Sequence, residues 1–101
     1  MIIREWRGRA SLAQAEAYPA HFRTKVVPEL VSLTGFVGAH LSRRLLGDRI
    51  EFLVLTRCKS MDSIREFAGS EIDDAVVEPG AVAALIDFDA KVQHYEVIEE
   101  A

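Results

Sequence analysis

A chain of 101 residues that is half apolar and 28% charged has the composition of a globular protein, which argues against disorder. Its formal net charge of -4 argues against the basic surface that nucleic-acid binding requires. A single cysteine, Cys58, excludes an internal disulfide, and no apolar run approaches the ~20 residues that cross a bilayer.

The beginning of the chain has no basic region followed by an apolar stretch, so no secretory signal is expected. A lone cysteine also suits a reducing compartment. Together these features predict a soluble, cytoplasmic protein with no nucleic-acid and no membrane partner. One domain spanning residues 1–101 is expected at this length.

The first third of the chain predicts a strand followed by a broken helix. Residues 2–9 have an extended pattern, with Ile2 and Trp6 on the same side. Ser11 and Gln14 have the spacing of a helix capping box. Apolar residues then recur at helical spacing, namely Tyr18, Phe22, Val26, Leu30 and Leu33. Two prolines interrupt this stripe, which predicts a kinked or segmented helix.

A β-hairpin is the strongest local prediction. Residues 36–46 and 49–58 have strand patterns, and Gly47-Asp48 between them suits a two-residue turn. The turn fixes the opposed residues, which are Arg44 with Glu51, Leu45 with Ile50, Leu41 with Val54, and Val37 with Cys58. This register also places Phe36 on the side opposite to Val37.

The second hairpin strand is apolar on both of its faces. Phe52 and Val54 point to one side, and Leu53 and Leu55 point to the other. A strand with one solvated face would instead alternate apolar and polar residues. Because a chain this short has helices enough for one face only, we expect a second copy of the chain to cover the other.

The remaining residues predict helices and a final strand. Ser60 has the character of a helix N-cap, Gly69 that of a helix end, and residues 70–77 the pattern of another short helix. Residues 91–98 complete the chain as a strand. The order β-α-β-β-α-β predicts an α+β fold of the ferredoxin-like, split βαβ type with an antiparallel sheet.

No motif in the sequence specifies a reaction or a metal site. His94 could transfer protons near neutral pH, although a histidine hydrogen-bonded within the sheet is the more ordinary interpretation. Trp6 and Arg4 could together orient a planar ligand, although Trp6 also suits a core. Cys58 has no basic neighbour on its own hairpin face and is better explained as a small buried residue than as a nucleophile.

Several short strings occur in an order that resembles the antibiotic biosynthesis monooxygenase (ABM) family of dimeric α+β barrels. They are REWRG at 4–8, LTGF at 33–36, EFLVLT at 51–56 followed by KSMDSI and FAG, AVVEP at 75–79, and HYEV at 94–97. The similarity spans nearly the whole chain. It implies a homodimer whose two sheets form a barrel with the helices outside. It also implies a pocket in each protomer between the helices and the sheet.

The resemblance further implies a chemistry. Characterised ABM proteins oxidise aromatic polyketide-type or quinol substrates with O₂ and use neither metal nor flavin, because the electron-rich substrate itself activates oxygen. The implied site has two catalytic candidates, His94 and Arg4, and four substrate-binding candidates, Trp6, Phe22, Cys58 and Phe67. Neither a metal ligand nor a cofactor is expected.

Two departures from the family pattern bear on function. Cys58 stands where many relatives have tryptophan, and residues 75–77 read Ala-Val-Val where haem-degrading members place a histidine. The resemblance therefore implies a cofactor-independent monooxygenase for a small aromatic substrate and disfavours haem degradation. The alternative is a non-catalytic small-ligand-binding or stress-related homodimer of the same fold. The sequence does not decide between the two.

Overall fold

An antiparallel sheet is the frame of the protein, and the computed structural model describes it over residues 1–101. Its strands are β1 (Ile2–Ser11), β2 (Phe36–Leu46), β3 (Arg49–Cys58), β4 (Asp87–Phe88) and β5 (Gln93–Glu96). The order is β2-β3-β1, and the two short strands β4 and β5 both pair with the remaining edge of β1. The fold is therefore α+β and ferredoxin-like, as the sequence predicts, with the last strand shorter than expected and β4 added to it.

The first helical region is divided into segments, as its two prolines predict. They are a 3₁₀ turn (Leu12–Gln14), α1 (Ala17–His21), a π-helical turn (Phe22–Val26) and α2 (Val27–Val31). Pro28 lies in the first turn of α2, where its missing N–H costs least. The predicted capping box is wrong, because the Ser11 side chain makes no cap hydrogen bond. A 3₁₀ turn, and not an α-helix, follows Ser11.

The second helical region has two short helices, α3 (Met61–Ala68) and α4 (Pro79–Ala84). Ser60 occupies the N-cap position of α3 as predicted, but its side chain makes no cap hydrogen bond. Gly69 ends the helix with a φ of 79°, a conformation that glycine adopts without strain. The predicted helix over residues 70–77 is wrong, because this segment is irregular and α4 begins only at Pro79. No helix of the protein is both long enough and apolar enough to span a membrane.

The predicted hairpin is confirmed from its turn as far as Gly38. Observed pairs include Arg44 with Glu51, Leu45 with Ile50, and Leu41 with Val54. The register then shifts, so that Phe36 lies opposite Cys58; the predicted pairing of Val37 with Cys58 is wrong, as is the predicted face of Phe36. The guanidinium of Arg57 occupies the space beside Gly38, where a Cβ atom would lie 2.6 Å from its Nη2, so a larger residue there would require Arg57 to move.

The two faces of the sheet are covered differently. One face, which we call the helix-facing side, carries the buried core; it includes Trp6, Ala10, Ile50, Phe52 and Val54, with Tyr18 and Phe22 packed over them. The opposite face, which we call the open face, has no helix over it. Leu53 and Leu55 are only half-buried on this face, and the side chain of Tyr95 is exposed on it.

Candidate active site

A narrow cavity lies between the helix-facing side of the sheet and the helices. It encloses about 560 Å³ of space between atoms when its open mouth is included, of which about 50 Å³ can hold the centre of a water molecule. Its floor is formed by four residues of β1 and β3, which are Arg4, Trp6, Val54 and Thr56. Nine of its fourteen lining residues are hydrophobic, so it suits a small and largely apolar ligand.

Aromatic rings form much of the cavity wall. The Trp6 and Tyr18 ring centroids are 5.7 Å apart, and the two rings are tilted by 43°. Trp6 Nε1 donates a hydrogen bond to the Asp89 carbonyl oxygen at 2.7 Å, which fixes the orientation of the indole. Phe67, on α3, lies beside the guanidinium of Arg4, 5.7 Å from its central carbon to the ring centroid. These rings offer flat apolar surfaces to a planar ligand.

Arg4 is the cationic group of the cavity and is only 5% exposed. Its Nη1 donates to the Ile72 carbonyl oxygen at 2.6 Å and to His94 Nε2 at 2.9 Å, and its Nη2 donates to the Asp74 carbonyl oxygen at 2.8 Å. Burial lowers the pKa of Arg4, and the charge of Asp73 opposes this change. Since a guanidinium has five N–H donors, two of them have no protein acceptor.

His94 is the cross-strand neighbour of Arg4, because β5 pairs with β1 so that the two residues are opposite each other. A guanidinium can only donate, so His94 Nε2 must accept and the ring proton must be on Nδ1. That nitrogen is 3.3 Å from Asp73 Oδ1. Burial and the charge of Arg4 lower the pKa of His94, which also favours the neutral ring. His94 therefore orients Arg4, and its lone pair is not free to accept a proton from a ligand.

The pKa of His94 makes folding stability depend on pH. Because this pKa is below its ordinary value of 6.5, the unfolded chain binds the proton more readily than the folded one. The contribution of neutral His94 to the free energy of unfolding is therefore fully present above pH 6.5. It is lost as the pH falls from 6.5 through the folded-state pKa. In His94→Gln the amide oxygen can still accept a hydrogen bond from Arg4, but the side chain no longer titrates. We therefore expect the unfolding free energy, measured by urea titration, to fall less between pH 7 and pH 5 in this variant than in the parent. The exposed His40 supplies the control, His40→Gln; equal pH slopes for both variants and the parent would contradict the assignment.

The structure separates the six residues proposed for the site into three groups. Arg4, Trp6 and Phe67 line the cavity, whereas His94 contacts it through Arg4. Phe22 packs in the core with its ring centroid 6.5 Å from that of Tyr18. Cys58 is completely buried, and this burial raises the pKa of its thiol although Arg4 opposes the change. Phe22 and Cys58 are not among the cavity-lining residues.

Other lining residues were not proposed for the site from the sequence. Thr56 shares the face of Val54, as strand alternation alone would indicate. Glu29 follows Tyr18 by eleven residues, about three helical turns, so the two lie on one side of the helical region. Burial and its neighbour Glu78 raise the pKa of Glu29. The cavity therefore combines a cationic floor with carboxyl groups elsewhere in its lining.

Comparisons with known proteins place the fold. No protein-family model and no curated protein matches the sequence. A solved structure of a proposed antibiotic biosynthesis monooxygenase from Deinococcus radiodurans is similar, with a TM-score of 0.63 and 17% identity, over 100% of this chain and 96% of that one. A mutant of MhuD with two manganese protoporphyrin IX molecules bound per active site is also similar, with a TM-score of 0.62 and 17% identity, over 100% of this chain and 98% of that one.

The protein therefore has the antiparallel α+β fold that these two structures share. The resemblance to ABM proteins expected from the sequence is confirmed at the level of that fold. At 17% identity, the likeness carries architecture and not substrate.

Proposed function

We propose that the protein is a cofactor-independent monooxygenase of a small, electron-rich aromatic compound of the phenol, quinol or polyketide type. One observation carries this proposal. Arg4 is a buried cation that lines an aromatic cavity and has two N–H donors without a protein acceptor. A phenolate oxygen is the kind of ligand atom that such a group stabilises.

The proposed chemistry needs only the substrate and O₂. Arg4 favours the ionised phenol, because a nearby positive charge lowers the pKa of an acidic group, and the phenol proton passes to water at the open mouth of the cavity. The electron-rich ring then supplies electrons to O₂; in a substrate with an activated CH₂ group, that carbon loses two hydrogens and gains a C=O bond. One oxygen atom enters the product and the other leaves as water. The rings of Trp6 and Phe67 hold the substrate plane, and the apolar lining limits the access of water.

Oxygen uptake tests this proposal directly. We expect the chelator-treated protein to consume O₂ above the uncatalysed rate with at least one member of a panel of naphthols, quinols and anthrones. Product analysis with ¹⁸O₂ should show one labelled oxygen atom per product molecule. An uptake rate equal to that of the buffer blank for every compound would contradict the oxygenase proposal.

A second candidate function is binding of a small aromatic ligand without oxidation. The observation that favours it is the engagement of both His94 nitrogens, by Arg4 and by Asp73, which leaves this imidazole unable to act as a base. This candidate predicts that the same compounds raise the melting temperature of the protein. It also predicts that none of them is consumed.

The cavity residues do not suit a porphyrin iron. Val76 lines the cavity within the segment where the sequence lacks the expected histidine. The nitrogens of His94 are engaged by Arg4 and Asp73, and the other histidine of the lining, His21, has its Nδ1 packed against Gly80. The proposed reaction therefore involves no haem.

We also propose that the functional unit is a homodimer joined through the open face. The support is the absence of cover over β3, whose residues Leu53 and Leu55 face away from the helices and are half-buried. Tyr95 on β5 is 54% exposed on the same face. A second copy of the chain would remove these apolar groups from water.

A further inference from the structure

The hydroxyl group of Tyr18 has no hydrogen-bond partner within the protein. The residue is only 3% exposed and lines the cavity, yet its hydroxyl makes no hydrogen bond. Because Arg57 Nε is the only buried side-chain nitrogen or oxygen without a partner, the unpaired Tyr18 hydroxyl must keep contact with the open space of the cavity. Burial raises the pKa of Tyr18, so the phenol stays protonated and can donate. Its ring packs on Trp6 and Phe52, which holds the hydroxyl in place.

A second unpartnered hydroxyl lies beside Arg4. Thr56 is 4% exposed, lines the cavity and makes no side-chain hydrogen bond. It is the direct cross-strand partner of Arg4 on the helix-facing side, so the two side chains are neighbours. Arg4 and Thr56 therefore form one polar position, which we call the Arg4–Thr56 end of the cavity.

The ring that carries the Tyr18 hydroxyl packs at a different position. Tyr18 packs against Trp6, whose cross-strand partner is Val54, and against Phe52, whose partner is Gly8. Along β1 and β3 these contacts are displaced from the Arg4–Thr56 end by two to four residues, at about 3.3 Å per residue. The ring of Tyr18 therefore packs beyond the Arg4–Thr56 end along the two strands.

We propose that the cavity selects an aromatic ligand with two oxygen substituents. One oxygen binds at the Arg4–Thr56 end, and the other accepts a hydrogen bond from the Tyr18 hydroxyl. Tyr18 is thus a specificity-determining residue, and the preferred class is the dihydroxyarenes and hydroxyquinones rather than simple phenols. This inference depends on the proposed cavity being the ligand site, but it does not depend on oxidation.

Anaerobic binding of two matched probes tests the inference. The probes are 1-naphthol and 1,5-dihydroxynaphthalene, followed through the fluorescence of the single tryptophan, which lies in the cavity wall. We expect the parent protein to bind the diol about fivefold more tightly, the value of one ordinary hydrogen bond. Tyr18→Phe keeps the ring and should abolish this preference, so that the ratio of the two dissociation constants falls to about one. Tyr95→Phe makes the same chemical change on the open face and should retain the preference.

Each other outcome overturns the inference. It fails if the parent shows no preference, if Tyr18→Phe keeps it, or if neither probe binds. It also fails if Tyr18→Phe is unstable, because the hydroxyl would then have a partner within the folded chain; the melting temperature of the free variant reports this. Oxygen uptake without a diol preference would support the oxygenase proposal and overturn this inference. A diol preference without oxygen uptake would support this inference and contradict the oxygenase proposal.

Discussion

Replacing Arg4 with methionine is expected to lower kcat/KM for an oxidised phenol by about 10²–10³-fold, the usual effect of removing one preorganised donor from a developing oxyanion. Methionine has a similar length but offers no charge and no N–H group. The loss should appear in kcat as well as in KM, because the phenolate character of the substrate increases towards the transition state. Initial rates of oxygen uptake over a range of substrate concentrations measure both constants.

The same substitution should also reduce stability. It leaves the carbonyl oxygens of Ile72 and Asp74 and the His94 lone pair without their donor, at a cost of about 2–4 kcal/mol in urea unfolding. Arg4→Lys separates the two effects, since it keeps the charge but cannot make the forked contacts. We expect it to retain more activity than Arg4→Met.

A matched control comes from the same strand. Arg9 lies on β1 but on the open face, where it forms ion pairs with Asp87, Asp89 and Glu51. Arg9→Met removes a hydrogen-bonded guanidinium without touching the cavity, so it should leave kcat/KM within about twofold of the parent. Full activity of Arg4→Met, or an equal loss in Arg9→Met, would refute the role given to Arg4.

The sequence predicts most of the sheet because its signals there are local. The Gly47-Asp48 turn determines the hairpin register, and strand alternation determines which residues of β1 and β3 face the helices. The prediction fails at Val37, where a bulge inserts a residue that alternation cannot reveal. Because of that one extra residue, Phe36 lies on the face opposite to the one that alternation predicts.

Non-local hydrogen bonds explain why the segment 70–77 was predicted wrongly. Its composition suits a helix, but its carbonyl groups are bound by Arg4 from the opposite end of the chain. Ala75 N–H donates to the Ala90 carbonyl oxygen, and Val92 N–H donates to that of Asp73. Helix propensity is too weak to outweigh several tertiary contacts of this kind.

The candidate site could be predicted only in part for the same reason. Arg4 and Trp6 share a strand and a face, so alternation alone places them together. The face of His94 required the pairing of β5 with β1, which joins residues ninety positions apart. The absence of a partner for the Tyr18 hydroxyl is a property of the packed structure and has no signal in the sequence.

A single lysine on the open face is expected to separate the proposed homodimer. Leu55 faces away from the helices, opposite Glu5 on β1, so Leu55→Lys should be tolerated in one protomer and can pair with that carboxylate. In a symmetric dimer the substitution occurs twice and places both ammonium groups between two sheets. We expect the dissociation constant to rise by about 10²-fold or more, with sedimentation velocity showing a dimer for the parent and a monomer for the variant at micromolar concentration.

The control for this experiment is Leu45→Lys. Leu45 is 72% exposed but lies on the helix-facing side of β2, opposite Ile50, so the same change there should leave the dimer intact. Unfolding of a dimer is linked to its dissociation, so the melting temperature of the parent should rise with protein concentration. The melting temperature of a monomeric Leu55→Lys variant should not depend on concentration. A monomeric parent, or equal sedimentation of the parent and Leu55→Lys, would mean that the uncovered side of the sheet faces solvent and not a second copy of the chain.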